Sequence, residues 1–159
     1  MEHPSQLLQK VNKMVKNIFF DFDGVILDSV KVKSEAFFDL YRPHGKQIAN
    51  KVLVHHEKNG GMSRFEKFPL YHKSYLNIKL SKDEIEDLSN NFSELVIDKV
   101  VASKRIDGVL SFLKKYYRRM NFWIITGTPT NEIKLIINRL SFDKYFIKSY
   151  GSPQKRVIG

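Results

Sequence analysis

The feature that most constrains the fold of this chain is a pair of aspartates that directly follows an apolar run. Residues 15–20 are mostly apolar, and Asp21, Asp23 and Gly24 come next. If the run forms a buried strand, Asp21 lies at its carboxyl end, at the edge of an open α/β sheet where ligands bind. Two carboxylates this close repel each other unless a cation lies nearby, and Gly24 permits a tight turn. The segment therefore predicts a site for a hard metal ion and a nucleophilic carboxylate.

Composition excludes several classes of site. The 159 residues include no Cys, which excludes disulfides, thiolate metal ligands and a Cys nucleophile. No apolar run is long enough to cross a bilayer, and the amino-terminal residues lack the basic and then apolar order of a signal peptide. The length suits one domain with a modest insertion and a substantial core. We therefore expect a soluble, cytoplasmic protein with no membrane partner.

The formal net charge of +10 raises the question of an anionic partner. Much of this charge lies between Lys99 and Arg119, where Asp107 is the single acidic residue. One interpretation is attraction to nucleic acid or to an anionic membrane. The other is the solvated face of a helix, and the helical spacing of Leu110 and Leu113 favours it. Nucleic acid is therefore not expected as a partner, whereas a small phosphorylated metabolite suits the basic surface.

The hydrophobic pattern alternates between short apolar strands and amphipathic helices. Strands are predicted at 15–20, 121–126 and 145–150, and the run at 121–126 is typical of a buried parallel strand. Ser81 and Glu84 form a capping box that opens one of the helices. The predicted helices cover residues 30–41, 46–58, 64–78, 82–101, 106–118 and 131–140, and a last one begins at Ser152-Pro153.

The helices between 31 and 104 are predicted to form an inserted subdomain. A crossover between parallel strands needs only about a dozen residues, so this block is too long for a single connection. We therefore expect an α/β core at 1–30 and 105–159, with a helical cap at 31–104 over the carboxyl edge of the sheet.

Three predicted turns carry polar side chains at the carboxyl ends of the three strands. The first carries Asp21 and Asp23. In the second, Thr126 and Gly127 offer a hydroxyl and backbone N–H groups at the start of a helix, an arrangement suited to phosphate. The third is followed by Lys155, a cation able to neutralise both a phosphate and a nucleophile. We expect these groups to meet in one crevice.

Each of these signals has a structural alternative. An EF-hand loop that starts at Asp21 is excluded, because its sixth and twelfth positions, which need Gly and Glu, are Ile26 and Val32. A solvated turn after a strand stays open for the aspartates, and an ordinary turn stays open for residues 126–129. Lys155 alone carries little information in so basic a chain. The occurrence of all three in this order, each after a strand, favours a site.

Three segments resemble motifs of the haloacid dehalogenase superfamily of phosphohydrolases. Residues 21–29 (Asp-Phe-Asp-Gly-Val-Ile-Leu-Asp-Ser) resemble its first motif, residues 125–129 its second and residues 151–155 its third. The helical insert after the first motif is similar to that of members with a four-helix cap, such as phosphoglycolate phosphatase and β-phosphoglucomutase. The resemblance implies an α/β fold with a Rossmann-like three-layer core, an incomplete parallel sheet and an inserted all-helical cap.

The resemblance also implies roles for individual residues. Asp21 would attack phosphorus, and Asp23 would act as a general acid and then as a general base. Both would hold Mg²⁺, Asp23 through its backbone carbonyl. Thr126 and Gly127 would bind the phosphate, and Lys155 would steady its negative charge. The implied function is a magnesium-dependent phosphohydrolase that acts on a small phosphorylated metabolite through an aspartyl-phosphate intermediate.

One motif of the superfamily has no counterpart before Gly159. The fourth motif, an acidic pair that completes the magnesium site, would fall after this residue, so we expect a C-terminally truncated version whose activity at this length is open. Two other functions stay open. One is a non-catalytic binding or interaction protein on the same scaffold, and the other is a phosphotransferase or mutase, which shares all the motifs named.

Residues of the predicted cap supply further candidates. The glycines at 60–61 indicate a loop that dips toward the crevice, where Arg64 and Lys67 would read the substrate. An ordinary flexible loop explains the same residues equally well. His55 and His56 could bind a metal, but neighbours on a helix point in different directions. Surface or hydrogen-bonded histidines are therefore favoured.

Overall fold

A three-stranded parallel sheet forms the centre of the fold. The computed structural model describes residues 15–152. Phe20 pairs with Ile124 at the end of the first strand, which places the acidic loop beside the second strand. The order of the strands is β1 (Asn17–Phe20), β2 (Asn121–Pro129) and β3 (Lys148–Ser152). The predicted α/β class is thus confirmed, and the last predicted helix lies outside the described residues.

Helices fill the long connection between β1 and β2, as predicted. They are α1 (Val30–Tyr41), α2 (Lys46–Lys58), α3 (Arg64–Tyr71) and α4 (Lys82–Val101), while α5 (Val109–Tyr116) and α6 (Thr130–Arg139) flank β2. The Ser81 side chain accepts a hydrogen bond from the Glu84 N–H at 3.2 Å, and Glu84 Oε2 accepts one from the Ser81 N–H at 2.7 Å, which confirms the capping box. We call α1–α4 the cap, and the strands with α5 and α6 the core. The limits of the two predicted domains stay a prediction.

Several predicted elements differ in extent from those observed. β2 continues to Pro129, so Thr126 and Gly127 lie near its end rather than in a turn after it. α3 ends at Tyr71 rather than near residue 78, and a π turn at His72–Leu76 follows it. Pro69 lies inside α3, and because it has no N–H it removes one hydrogen bond from the helix. β3 begins at Lys148 rather than near residue 145, because Asp143–Tyr145 forms a 3₁₀ turn.

The two faces of the sheet are packed differently. On one face, Phe20 and Phe122 pack against Phe112 of α5, with ring centroids 6.2 and 5.7 Å away. On the other face, Trp123 stacks on Phe19 at 6.1 Å, and Phe19 is 59% exposed. The apolar run of β2 predicts a buried strand, yet its residues are alternately buried and more exposed. Successive side chains of a strand point to opposite faces, and α5 packs on one of them.

The basic segment after the cap includes an amphipathic helix. Leu113 of α5 is fully buried, whereas Lys114 and Lys115 are exposed. Lys104 and Asp107 form an exposed ion pair at 3.3 Å. The predicted solvated helix face is therefore confirmed. In the described part of the chain, no helix is both long and apolar enough to cross a bilayer.

The chain leaves the core and returns to it at neighbouring positions. After β1, Gly24 adopts a φ of 76°, a conformation that favours glycine. The Asp28 N–H donates to Lys104 O at 2.8 Å, and the Ile106 N–H donates to Ile26 O at 3.0 Å. These bonds join the loop that leaves the core to the segment that returns from the cap.

Candidate active site

A cavity of about 210 Å³ lies where the carboxyl edge of the sheet meets the cap. The cap loop of residues 60–62 forms part of its lining, as the glycine pair predicts. Lys155 lies outside the described residues. The other six residues that the sequence predicts for the site all line this cavity, namely Asp21, Asp23, Thr126, Gly127, Arg64 and Lys67.

The two aspartates have different surroundings. Asp21 is exposed, its Oδ1 accepts a hydrogen bond from the Phe22 N–H at 2.7 Å, and no cation of the described residues pairs with it. Asp23 is held at both oxygens, because Oδ1 accepts from Ser29 Oγ at 2.6 Å and Oδ2 accepts from Lys33 Nζ. The geometry leaves Asp21 available for nucleophilic attack or metal binding, and it orients Asp23 for proton transfer.

Lys33 links the acidic loop to the end of β2. Its Nζ also donates to Thr128 Oγ1 at 2.6 Å, and the Thr128 N–H donates to Thr126 Oγ1 at 3.2 Å. Sequence reasoning missed Lys33, although a signal was present. Lys33 lies in the first turn of α1, four residues after Ser29, and side chains of a first helical turn point back toward the preceding loop.

Glycines near the ends of β2 and β3 allow close approaches of the backbone. A Cβ atom at Gly127 would lie 3.4 Å from Gly61 O, so the cap loop contacts the core at this point. A Cβ atom at Gly151 would lie 2.2 Å from Thr128 O, a distance that no side chain could occupy. Ser152 Oγ donates to Gly127 O at 2.7 Å. The end of β2 and the cap loop therefore meet at the cavity, and the end of β3 packs against β2 beside them.

Lys67 and His56 line the cavity on the cap side and contact each other. Lys67 is 1% exposed, and its Nζ lies 2.9 Å from His56 Nδ1. Burial, and then the nearby charge of Lys33, lower the pKa of Lys67 to about 8. Burial, and then the charge of Lys67, lower the pKa of His56 to about 4. At neutral pH His56 is therefore uncharged and accepts a hydrogen bond from a charged Lys67, which confirms that it is a hydrogen-bonded histidine.

Comparison with known proteins places the chain in a family. The model of haloacid dehalogenase-like hydrolases matches residues 15–158. The chain belongs to the haloacid dehalogenase-like hydrolase family. A curated relative, the phosphorylated carbohydrates phosphatase of Thermotoga maritima, is 27% identical over 134 residues, which are 81% of this chain and 57% of the relative.

Solved structures show the same fold at low sequence identity. The β-phosphoglucomutase of Clostridium difficile has a TM-score of 0.65 and 21% identity, over 90% of this chain and 64% of that one. A HAD-hydrolase from Bacillus subtilis, bound to magnesium, has a TM-score of 0.57 and 15% identity, over 87% of this chain and 65% of that one. The present chain spans less than two thirds of the length of each of these three relatives.

In this haloacid dehalogenase-like hydrolase, the guanidinium of Arg64 is engaged within the protein. Its Nη2 donates to Glu132 Oε1 at 2.9 Å, and its Nη1 lies 2.8 Å from Glu132 Oε2. Nη1 also donates to Ser93 Oγ at 2.9 Å and to Ser89 O at 3.2 Å. Both side chains of the ion pair are almost fully buried. The pair joins α3 of the cap to α6 of the core, and the substrate role of Arg64 stays a prediction.

His56 should make the stability of the protein depend on pH. Its folded pKa of about 4 lies below the usual 6.5, so between these values the unfolded chain binds more protons and stability rises with pH. The expected contribution of His56 to the free energy of unfolding is about 3 kcal/mol. It is fully present above pH 6.5 and is lost as the pH falls toward 4. Urea unfolding of the wild type and of His56→Asn across this range measures it. Equal pH slopes in the two proteins would contradict the expectation.

Proposed function

We propose that this chain carries the catalytic site of a magnesium-dependent phosphohydrolase that acts on a small phosphorylated metabolite. The observation that supports it most is one cavity lined by an available carboxylate at Asp21, an oriented carboxylate at Asp23, and Thr126 and Gly127 near the end of β2. Membership of the hydrolase family supports the same reaction class. The name of the Thermotoga maritima relative describes a phosphatase of phosphorylated carbohydrates, which supports a small phosphorylated substrate.

In the proposed mechanism, Asp21 is the nucleophile and Asp23 is the general acid and base. A carboxylate oxygen of Asp21 forms a bond to phosphorus while the bond from phosphorus to the leaving oxygen breaks, and Asp23, which enters this step as the protonated carboxylic acid, gives that oxygen its proton. Asp23 then takes a proton from the water that attacks the aspartyl phosphate, which releases phosphate and restores Asp21. Ser29 and Lys33 hold Asp23 in place for both transfers.

The end of β2 would bind the phosphoryl oxygens. The Thr126 hydroxyl and the backbone N–H of Gly127 lie at the cavity, and preorganised donors stabilise the charge that develops on a transferring phosphoryl group. Lys155 stays the predicted cation of the third turn. Lys33 already brings a positive charge to the end of β2 through Thr128 Oγ1.

The donor groups at the acidic loop fit magnesium. Mg²⁺ is usually bound by one or two carboxylates with several waters and substrate phosphate oxygens. The carboxylate of Asp21 and the backbone carbonyl of Asp23 would hold the ion, which neutralises phosphoryl charge when bound. Within residues 15–152, no group of three or more His, Cys, Asp or Glu side chains is placed to hold a metal ion.

Phosphate release by the full chain should require magnesium. Chelation with EDTA is expected to lower the rate of release from small phosphomonoesters by about 100-fold or more, because the metal contributes several kcal/mol to transition-state stabilisation. Added Mg²⁺ should restore the rate. Release that persists in EDTA contradicts the role of the metal, and absence of release with Mg²⁺ contradicts the hydrolase proposal.

Product analysis in the same assay separates the two other functions that the motifs allow. Phosphate recovered on a second hydroxyl of the substrate, rather than free in solution, would identify a phosphotransferase or mutase. Salt-dependent binding of an anionic partner without turnover or metal would identify a binding protein.

A further inference from the structure

The cap wall of the cavity carries a buried cation that the described residues do not neutralise. Two other buried cations line the same cavity, and each has a carboxylate partner: Arg64 pairs with Glu132, and Lys33 pairs with Asp23. Lys67 is more deeply buried than either, and no carboxylate of residues 15–152 lies within ion-pair distance of it. Burying a charge without a partner is costly. An anion beside Lys67 would remove this cost.

The contacts of Lys67 leave hydrogen-bond donors for such an anion. An ammonium has three N–H donors and no acceptor, so His56 Nδ1 must accept one of them, and the proton of neutral His56 is on Nε2. The other near neighbour of the ammonium is the ring of Phe37, 5.5 Å away, which takes no conventional hydrogen bond. Phe37 also packs on the His56 ring at 4.4 Å and so holds the histidine in place.

We propose that Lys67, oriented by His56, binds a second anionic group of the substrate, either a carboxylate or a second phosphate. The preferred substrates are therefore small phosphomonoesters with a second anion. This inference rests on the proposed function, because it assigns the reactive phosphate to Asp21 and Thr126. Both ends of the substrate share a cavity of about 210 Å³, which requires a short linker between the two anions.

Lys67 and Arg64 have different partners in the structure, although the sequence predicts the same role for both. Arg64 uses its guanidinium to join the cap to the core through Glu132. Lys33 uses its ammonium to hold Asp23 and Thr128. Among the buried cations that line the cavity in residues 15–152, Lys67 is thus the one whose charge is available to a ligand.

Three probes with the same two-carbon skeleton test the inference: 2-hydroxyethyl phosphate, carboxymethyl phosphate and ethylene bisphosphate. Their binding to the full chain is measured by calorimetry in Mg²⁺ buffer, with Asp21→Asn present to prevent turnover. The two probes with a second anion should bind about 10- to 100-fold more tightly than 2-hydroxyethyl phosphate, the range expected for hydrogen bonds to a charged group. Whichever of carboxymethyl phosphate and ethylene bisphosphate binds more tightly shows whether the second anion is a carboxylate or a phosphate.

Substitution of Lys67 supplies the decisive comparison. Lys67→Met should remove the preference for the two probes with a second anion. Lys67→Gln provides a second test if the Met variant is poorly folded. Lys51→Met is the matched control, because Lys51 is exposed on α2 and faces the Tyr75 ring at 5.9 Å rather than the cavity. It should keep the full preference. The inference is overturned if the protein with Lys67 intact binds all three probes equally, or binds neither probe with a second anion. It is also overturned if Lys67→Met keeps the preference.

Hydrolysis of the same probes by the protein with Asp21 intact distinguishes failure of this inference from failure of the proposed function. A binding preference without any hydrolysis supports the role of Lys67 and refutes the phosphohydrolase. Hydrolysis of all three probes with equal kcat/KM supports the phosphohydrolase and refutes the role of Lys67.

Discussion

Replacing Asp21 by Asn should abolish phosphate release from every ester that the wild type hydrolyses. The expected loss in kcat is about 10⁴-fold or more, the scale seen when a covalent nucleophile is removed. The reason is chemical, since an amide is a poor nucleophile and cannot form the aspartyl phosphate. The structure also leaves no obvious substitute, because Asp23 is held at both oxygens by Ser29 and Lys33. Initial rates of phosphate release measure the effect.

Asp28→Asn is the matched control for this change. Asp28 lies in the same loop and is exposed, but it does not line the cavity, so its substitution removes an equal charge without touching the site. Its kcat should stay within about twofold of the wild type, because exposed charges distant from the reacting atoms interact weakly. Trapping of a phosphoryl group on the wild type and on Asp28→Asn, but not on Asp21→Asn, would support the covalent step. Full turnover by Asp21→Asn would reject Asp21 as the nucleophile.

Replacing Glu132 by Leu should lower the free energy of unfolding by about 3–5 kcal/mol, the usual cost of leaving a buried charge unpaired. Glu132 makes two contacts with Arg64 and accepts a hydrogen bond from Ser93 Oγ at 2.5 Å, and all of these are lost. Because the pair joins α3 of the cap to α6 of the core, the loss should also loosen the cap. Urea unfolding gives the stability, and hydrogen exchange of cap amides reports the loosening.

A second ion pair between the cap and α6 provides the control. Asp98 of α4 lies 2.7 Å from Arg139 of α6, but the Asp98 side chain is 84% exposed. Asp98→Asn should therefore cost less than about 1 kcal/mol. The double variant Arg64→Met with Glu132→Leu should regain much of the stability lost in Glu132→Leu alone, because no unpaired charge remains. If Glu132→Leu costs no more than Asp98→Asn, the buried pair does not hold the cap.

The positions of Asp21, Asp23 and Thr126 could be predicted because they depend on short stretches of sequence. An apolar run predicts a strand, the polar residues after it mark the strand's end, and parallel strands bring their carboxyl ends to one edge. The helices of the cap could be predicted for the same reason, down to the capping box at Ser81. Errors in the predicted elements fell at their ends, where a π turn follows α3, β2 continues to Pro129 and a 3₁₀ turn precedes β3.

The partners of the charged side chains could not be predicted in this way. Lys33 meets Thr128, 95 residues along the chain, and Arg64 meets Glu132, 68 residues away. No local pattern links positions this far apart. His56 was also missed as a cavity residue, because its place beside Lys67 depends on how α2 and α3 pack.

Arg64 and Lys67 show where local pattern ends and tertiary structure takes over. They lie three residues apart on one helix, so their spacing predicts that both face the same crevice, and both do line the cavity. Their charges nevertheless have different surroundings, since α6 brings a carboxylate to Arg64 and no described element brings one to Lys67. Neighbours along the chain determine which elements form and where the polar turns lie. Only the packing of distant elements decides which charge is neutralised inside the protein and which is left for a ligand, because electrostatic interactions act through space.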